Sequence, residues 1–207
     1  EEVIGEFIKR VQTIVKPLQM EYEIILVNDA STDKSLEVIK EAIKTDPRVA
    51  CITTSRRFGV EDCLFAGLEL SKGDVAIVIE SDLQDPPEMI PQMVEQWRNG
   101  ADVVHMIRSK REGENSFKMF LTKIGYRVIG HFSEIEIPVD CGLFKLLSRR
   151  AVNELLKLKE KELYFKGMAC WIGFKQTQLF FERKGRFAGA THNPLYKIMP
   201  QTKTMLA

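Results

Sequence analysis

Apolar positions in the first hundred residues fall into two alternating patterns. Val3, Ile4, Phe7, Ile8, Val11, Ile14, Val15 and Leu18 follow the 3.6-residue period of an amphipathic helix. By contrast, 22–27, 49–53, 75–79 and 102–107 are short, nearly continuous apolar runs rich in β-branched residues, as strands buried on both faces of a parallel sheet are. Between them the helical period returns at 35–43, 61–70 and 88–97. The last of these follows Pro86-Pro87, where proline suits a first turn, and stops at Asn99-Gly100, a C-cap signal. This alternation predicts an α/β fold: a mostly parallel, Rossmann-like central sheet flanked by helices, with right-handed crossovers.

The pattern changes past Arg108. A polar stretch, 109–115, leads into a helical pattern over 116–132 carrying Phe117, Phe120, Leu121, Ile124, Val128 and Phe132. A smaller α+β part follows, with a strand over 139–147 interrupted at Gly142, helices over 149–158 and 164–172, and a last strand over 176–182. No repeat, low-complexity tract or linker divides the chain, and 207 residues suit one domain, 1–207, with halves meeting at 107/108.

Composition narrows the function classes. Hydrophobic residues at 44% and charged residues at 29% exclude a disordered or fibrous chain. With 30 basic and 29 acidic side chains the net charge is +1, so no overall field draws the protein to nucleic acid, and any polyanion must meet a local cluster. The cysteines, Cys51, Cys63, Cys141 and Cys170, lack metal-finger spacing and read as buried thiols of a reducing compartment. No apolar run approaches the roughly 18 residues that span a bilayer.

Ligands of open α/β sheets bind beyond the carboxyl ends of the strands, and two of the predicted ends are acidic. In 28–33, Asn28-Asp29-Ala30-Ser31-Thr32-Asp33, one reading has Asp29, Ser31 or Asp33 capping the next helix. The other has Asp29 accepting a hydrogen bond from a base or ribose while Ser31 and Thr32 shape the pocket. In 80–88, Glu80 and Asp82 bring carboxylates at i and i+2 to one sheet edge, with Gln84 as a further oxygen donor, a set suited to Mg2+ or Mn2+. An acidic helix start explains Asp85 and Glu88 but not Glu80 and Asp82. Arg108, Lys110, Arg111, Lys145, Arg149 and Arg150 are either solvated surface or phosphate contacts. The stripe from Phe117 to Ile124 is either core or a membrane-facing surface. His105 reads as a satisfied core histidine, Trp97 and Trp171 as packing, and His131 and His192 show no ligand spacing.

Five strings occur in order: VNDASTD at 27–33, RRFGVEDCLFAGL at 56–68, ESDLQDPPE at 80–88, VDCGLFKL at 139–146 and RFAGATHNPL at 186–195. Together they resemble the family 2 glycosyltransferases of the polyprenyl-phosphate type. That group includes dolichyl-phosphate mannose synthases and the bacterial undecaprenyl-phosphate glucosyl- and aminoarabinosyltransferases. The resemblance implies a GT-A fold whose first half binds a UDP- or GDP-sugar and whose second half meets the acceptor, with inversion at the anomeric carbon. It puts the metal, Mg2+ or Mn2+, on Glu80, Asp82 and Gln84, and the nucleotide on Asp29, Ser31, Asp33 and Arg57. Phosphates fall to Arg108, Lys145 and Arg186, and the catalytic carboxylates are Asp82 and, on the acceptor side, Asp140. The implied partners are the sugar nucleotide and a lipid phosphate at the cytoplasmic face of a membrane, with no nucleic acid; a homo-oligomer is compatible with it.

The chain also departs from the pattern. Relatives open with a strand upstream of the first residue here and carry two membrane helices downstream, so a pocket wall and an anchor are expected outside the chain. Glu80 replaces an aspartate, Leu143 stands where many relatives have a second one, and Val60 replaces a lysine. Gly189-Ala190-Thr191-His192-Asn193 replaces a G-E-S/T-K-Y tail, and an unperturbed imidazole is mostly neutral at pH 7. Two alternatives remain: a soluble family 2 transferase acting on a polysaccharide hydroxyl, or a nucleotide-sugar-binding module that lost its chemistry.

Overall fold

The computed structural model describes residues 3–109, 138, 141–158, 160 and 164–182. The expected helix over 116–132, Lys110, Arg111, His131, Asp140, Arg186 and the 186–195 string lie outside them.

The elements are α1 (Ile4–Val15), β1 (Ile24–Asn28), α2 (Ser35–Thr45), β2 (Val49–Thr53), α3 (Val60–Leu70), β3 (Val75–Val78), α4 (Ile90–Arg98), β4 (Val103–Arg108), β5 (Cys141–Ser148), α5 (Arg149–Lys157), α6 (Phe165–Trp171) and β6 (Gln176–Phe181). The amphipathic period of α1 buries Phe7, Ile8 and Val11. The pattern over 88–97 divides into a 3-10 turn, Pro87–Met89, and α4. Pro91 explains the division, because it lacks an N–H and fits only a first helical turn.

β1 and β2 pair in parallel, as the alternation predicts. The other strands form a mixed sheet in the order β3-β5-β4-β6, in which β5 runs antiparallel to both neighbours and β6 parallel to β4. Cys141 therefore lies beside Ile107 near the carboxyl end of β4, and Ser148 beside Val75 at the amino end of β3. No hydrogen-bonded ladder joins β1 to β3 among the described residues. A cavity of about 820 Å³ lies between them, walled by the two strands, α1 and α3, with Asn28, Asp29, Ser31, Glu80, Ser81 and Asp82 in its lining.

Two apolar clusters hold these layers. One runs from Phe7, Ile24, Leu26 and Ile39 through Ile90 and Met93 to Met106 and Phe144. The other joins Leu68, Val103 and Leu147 to Val152, Leu155 and Phe165. Phe144 is fully buried and meets Phe181 edge-to-face at 5.8 Å between ring centroids.

Three expectations are corrected. Gly142 does not interrupt β5; the ladder to β4 instead shifts register between His105 and Ile107. Nor do Asp29 and Ser31 cap α2: the residue before it is Lys34, without a side-chain bond, while Asp33 Oδ1 accepts the Ser35 N–H at 3.0 Å. Trp171 is 59% exposed rather than packed, whereas Trp97 does pack on the first cluster.

Candidate functional site

At the end of β1, Asn28 is buried and the chain turns sharply through Ala30, at φ 49°. The Ala30 N–H donates to the Asn28 carbonyl at 2.9 Å and the Ser31 N–H to Asn28 Oδ1 at 3.3 Å. Asp29 is thereby aimed at the loop before α3. Its Oδ1 accepts the Phe58 N–H at 2.8 Å and the Thr54 hydroxyl at 3.1 Å, and its Oδ2 accepts the Gly59 N–H at 2.9 Å. Partial burial pushes its pKa up, but the Phe58 and Gly59 amides and the Thr54 hydroxyl outweigh that and hold it below the ordinary carboxylate range. Ser31, Asp33 and Arg57 are exposed around this turn.

The end of β3 has the same device. Leu83 is buried at φ 60°, and the Gln84 N–H donates back across it to Asp82 Oδ1 at 3.0 Å. A non-glycine residue held at positive φ stores strain, and both strand ends that carry acidic residues do so. Glu80, Asp82 and Gln84 are partly buried at this edge. Among the described residues no three His, Cys, Asp or Glu side chains form a ready metal cage. Two carboxylates and an amide oxygen fit a hard cation that completes its shell with water and substrate phosphate, which is the usual state of Mg2+.

The third strand end supplies positive charge. Arg108 closes β4, with Nη2 at 3.8 Å from Oδ1 of the fully buried Asp85. Its guanidinium crosses Gly142, where a Cβ would come within 3.1 Å of Nη2. Lys145 is fully buried, and its Nζ donates to Cys141 Sγ and to the Gly142 carbonyl, each at 2.7 Å. Cys141 Sγ also lies 3.6 Å from Nδ1 of His105, whose Nε2 pairs with Gln176 Oε1 at 2.7 Å. His105 is thus the satisfied core histidine its sequence context predicts.

Residues 1–156 match the model of glycosyl transferase family 2. The chain belongs to that family. The uncharacterized glycosyltransferase YkcC of Bacillus subtilis (strain 168) is 40% identical over 199 residues, covering 96% of this chain and 62% of the relative. A prophage bactoprenol glucosyl transferase homolog of Escherichia coli (strain K12) is 36% identical over 191 residues, covering 92% and 62%. The chain thus spans 62% of the length of these curated relatives. Glucosyl-3-phosphoglycerate synthase from Mycobacterium tuberculosis, solved with Mn2+, UDP-glucose and phosphoglyceric acid, superimposes with a TM-score of 0.62 at 18% identity, covering 98% of this chain and 73% of that one. That likeness shows the fold, and this family 2 chain has the GT-A architecture its motifs imply.

Within this family 2 domain, the expected site residues divide between two edges. Asp29, Ser31, Asp33, Glu80, Asp82, Gln84 and Arg108 follow or close strands at one edge, and β5 begins there at Cys141, the residue after Asp140. Lys145 sits one layer inside. Arg149 and Arg150 stand at the opposite edge, because β5 runs antiparallel and carries its last residues away from the site. Arg149 donates to the Gly73 carbonyl, at 2.8 Å from Nε, and Arg150 pairs with the buried Asp102. They close the fold.

One residue of the 56–68 string ties α6 to α3. The Glu61 carboxylate accepts the Phe165 N–H at 3.2 Å, at the first turn of α3 and the start of α6. Burial pushes the Glu61 carboxyl above its usual range, against the pull of the Phe165 amide and the charges of Lys166 and Lys145.

Proposed function

We propose that this chain is the transferase domain of a metal-dependent, inverting glycosyltransferase that moves a sugar from a UDP- or GDP-sugar to a polyprenyl phosphate. The observation that carries the reading is one sheet edge at which Glu80 and Asp82 follow β3, Arg108 ends β4, and β5 begins between them. Family membership supports sugar transfer, and relatives named for bactoprenol support a lipid-phosphate acceptor. A GT-A neighbour solved with Mn2+ and UDP-glucose supports the donor and the cation. The same reading puts the working protein at the cytoplasmic face of a membrane; no described helix is itself long and apolar enough to cross one.

In this reading Glu80, Asp82 and Gln84 would hold Mg2+ or Mn2+, which when bound would supply positive charge to offset that of the donor diphosphate as it leaves. The loop tied down by Asp29, with Ser31, Asp33 and Arg57 around it, receives the nucleoside. Arg108 and Arg186 meet phosphate oxygens, and Lys145 adds its field from behind. A phosphate oxygen of the acceptor attacks the anomeric carbon from the face opposite the diphosphate. A carbon–oxygen bond forms as the bond to the diphosphate breaks, and the nucleoside diphosphate leaves with the electron pair. The attacking phosphate is already anionic, so Asp140 positions the acceptor more than it removes a proton.

The test is transfer of labelled sugar from UDP- and GDP-sugars to undecaprenyl phosphate in vesicles by the full-length protein, with and without Mn2+. Lipid-linked product that requires Mn2+ and vanishes in a folded Asp82→Ala variant is the expected result. Undiminished transfer by that variant would overturn the assignment.

A further inference from the structure

Asp85 is fully buried in the loop that leaves β3, one residue past Gln84. Pro86 and Pro87, which follow it, are buried as well, and the Met89 N–H donates to the Pro86 carbonyl at 3.1 Å. Two prolines fix φ at successive positions, so the backbone beside Asp85 has little freedom. A carboxylate buried there is unfavourable without a cation. Arg108 supplies one from the end of β4, with Nη2 3.8 Å from Asp85 Oδ1. That contact joins the loop of Glu80, Asp82 and Gln84 to a strand two places away in the sheet.

At 3.8 Å the pair attracts by charge without a hydrogen bond, so it occupies none of the guanidinium's donors. A second constraint is Gly142 in β5. A Cβ there would lie 3.1, 3.5 and 3.6 Å from Nη2, Cζ and Nε of Arg108, so the guanidinium rests against backbone that carries no side chain. The buried Nε has no hydrogen-bond partner among the described residues. Arg150 shows the contrary arrangement, since its Nε and Nη2 both donate to Asp102 and are used up in holding the fold.

We propose that Asp85 is a positioning residue for Arg108: from the end of the acidic loop its buried charge holds the guanidinium over Gly142, in fixed relation to Glu80 and Asp82, with Nη donors left for a phosphate group. The phosphate rests on the reading above; the ion pair and its glycine floor do not. Three roles for Asp85 differ in sign. A carboxylate that only offsets charge repels phosphate, so its removal should tighten binding. One that only completes the fold should alter melting and not affinity. A positioning carboxylate should weaken binding when removed, although the site becomes more positive, and only while Arg108 is present.

The test uses full-length wild type, Asp85→Asn, Gly142→Ala, Arg108→Ala and the Asp85→Asn/Arg108→Ala pair, each checked for folding by thermal melting. Affinity is read by calorimetric titration with inorganic pyrophosphate in Mg2+, which needs no turnover. We expect Asp85→Asn to weaken pyrophosphate about fivefold, and Gly142→Ala about threefold because the added methyl displaces the guanidinium. Arg108→Ala should weaken it about tenfold, and adding Asp85→Asn should change nothing more. Wild-type or tighter affinity in a folded Asp85→Asn or Arg108→Ala overturns the proposal, as does the Asp85→Asn loss persisting with Arg108 absent. If Asp85→Asn does not fold, wild-type affinity in Gly142→Ala overturns it. So does a wild type that binds no pyrophosphate. A protein that shows the expected pattern yet transfers no sugar keeps Asp85 in this role and sinks the transferase reading; one that transfers sugar while Asp85→Asn binds pyrophosphate normally does the reverse.

Discussion

The Asp29 carboxylate, just past β1, accepts the N–H of Gly59, the residue before α3, at 2.9 Å. Together with the Phe58 amide this fastens one strand end to the loop that carries Arg57. Gly59 lies at φ 112°, where an L side chain is strained even though open space surrounds it. Asp29→Ala should therefore cost about 1 kcal/mol, because these bonds are partly solvated, and weaken nucleotide binding by releasing the loop. Gly59→Ala should cost about 1–2 kcal/mol through strain with every side chain kept. Urea melts and nucleotide titration of both variants check this. A loss of affinity in Asp29→Ala with the same loss in Gly59→Ala would assign it to the loop; loss in Asp29→Ala alone would assign it to the carboxylate.

The hydrophobic periods made most elements legible because burial dictates both period and length, and β1 to β4 each fall within two residues of the expected runs. Neighbourhood was not legible. Whether 139–147 enters the sheet parallel or antiparallel depends on packing of Phe144, Leu146 and Leu147 against residues far away in sequence. That choice sends Arg149 and Arg150 away from the site and Cys141 toward it. Glu80 and Asp82 could be read because carboxylates just after an apolar strand are unusual. The contact of Glu61 with α6 could not, since nothing local says that the Phe165 N–H reaches it.

The two arginine groups should respond oppositely to substitution. Asp102 is buried and accepts from Arg150, the Ser148 hydroxyl and the Lys175 amide. Its removal leaves the buried Ser148 hydroxyl without that acceptor while the exposed Arg150 and Lys175 turn to water, so Asp102→Ala should lose about 1–2 kcal/mol of stability with both KM values unchanged. Arg108→Ala, at the other edge, should raise a KM with less effect on melting. Denaturant melts beside steady-state kinetics separate them, and a raised KM in folded Asp102→Ala would contradict the two-edge division.

Acid should weaken the fold through His105. Burial, with the charge of Lys145 nearby, lowers its pKa to about 4 despite the Gln176 bond. The unfolded chain takes up the proton near pH 6.5, so stability is full above that value and falls as the pH drops toward 4. The loss should approach about 3 kcal/mol at the acid end. Asp33 and Asp46, each held at about 2, lose their contribution lower, from the ordinary aspartate value downward. Glu61 works in the opposite direction in part of this window, since its raised pKa favours the folded state on acidification. Urea midpoints between pH 7 and 4.5 should therefore fall in wild type, fall further in Glu61→Gln and flatten in His105→Gln. An acid limb unchanged in His105→Gln would remove His105 as its cause.

Asp82 divides its oxygens. Oδ1 accepts the Gln84 N–H across the strained Leu83, which fixes the turn, and in the proposed reading Oδ2 is the oxygen that would serve a cation beside Glu80. Asp82→Asn can keep the amide oxygen in the first role but loses the charge needed for the second. It should therefore melt within about 1 kcal/mol of wild type, since only a partly exposed bond changes character. Its UDP or GDP affinity should equal that of wild type without metal and fail to rise when Mn2+ is added. Leu83→Gly makes the complementary case: relief of the positive φ is offset by the loss of a side chain 3% exposed, and the Glu80, Asp82 and Gln84 side chains are kept. That variant should keep the Mn2+-dependent gain while losing stability. Titration of both with UDP and GDP, with and without Mn2+, checks the pair; a full Mn2+ response in Asp82→Asn would take the metal away from this carboxylate.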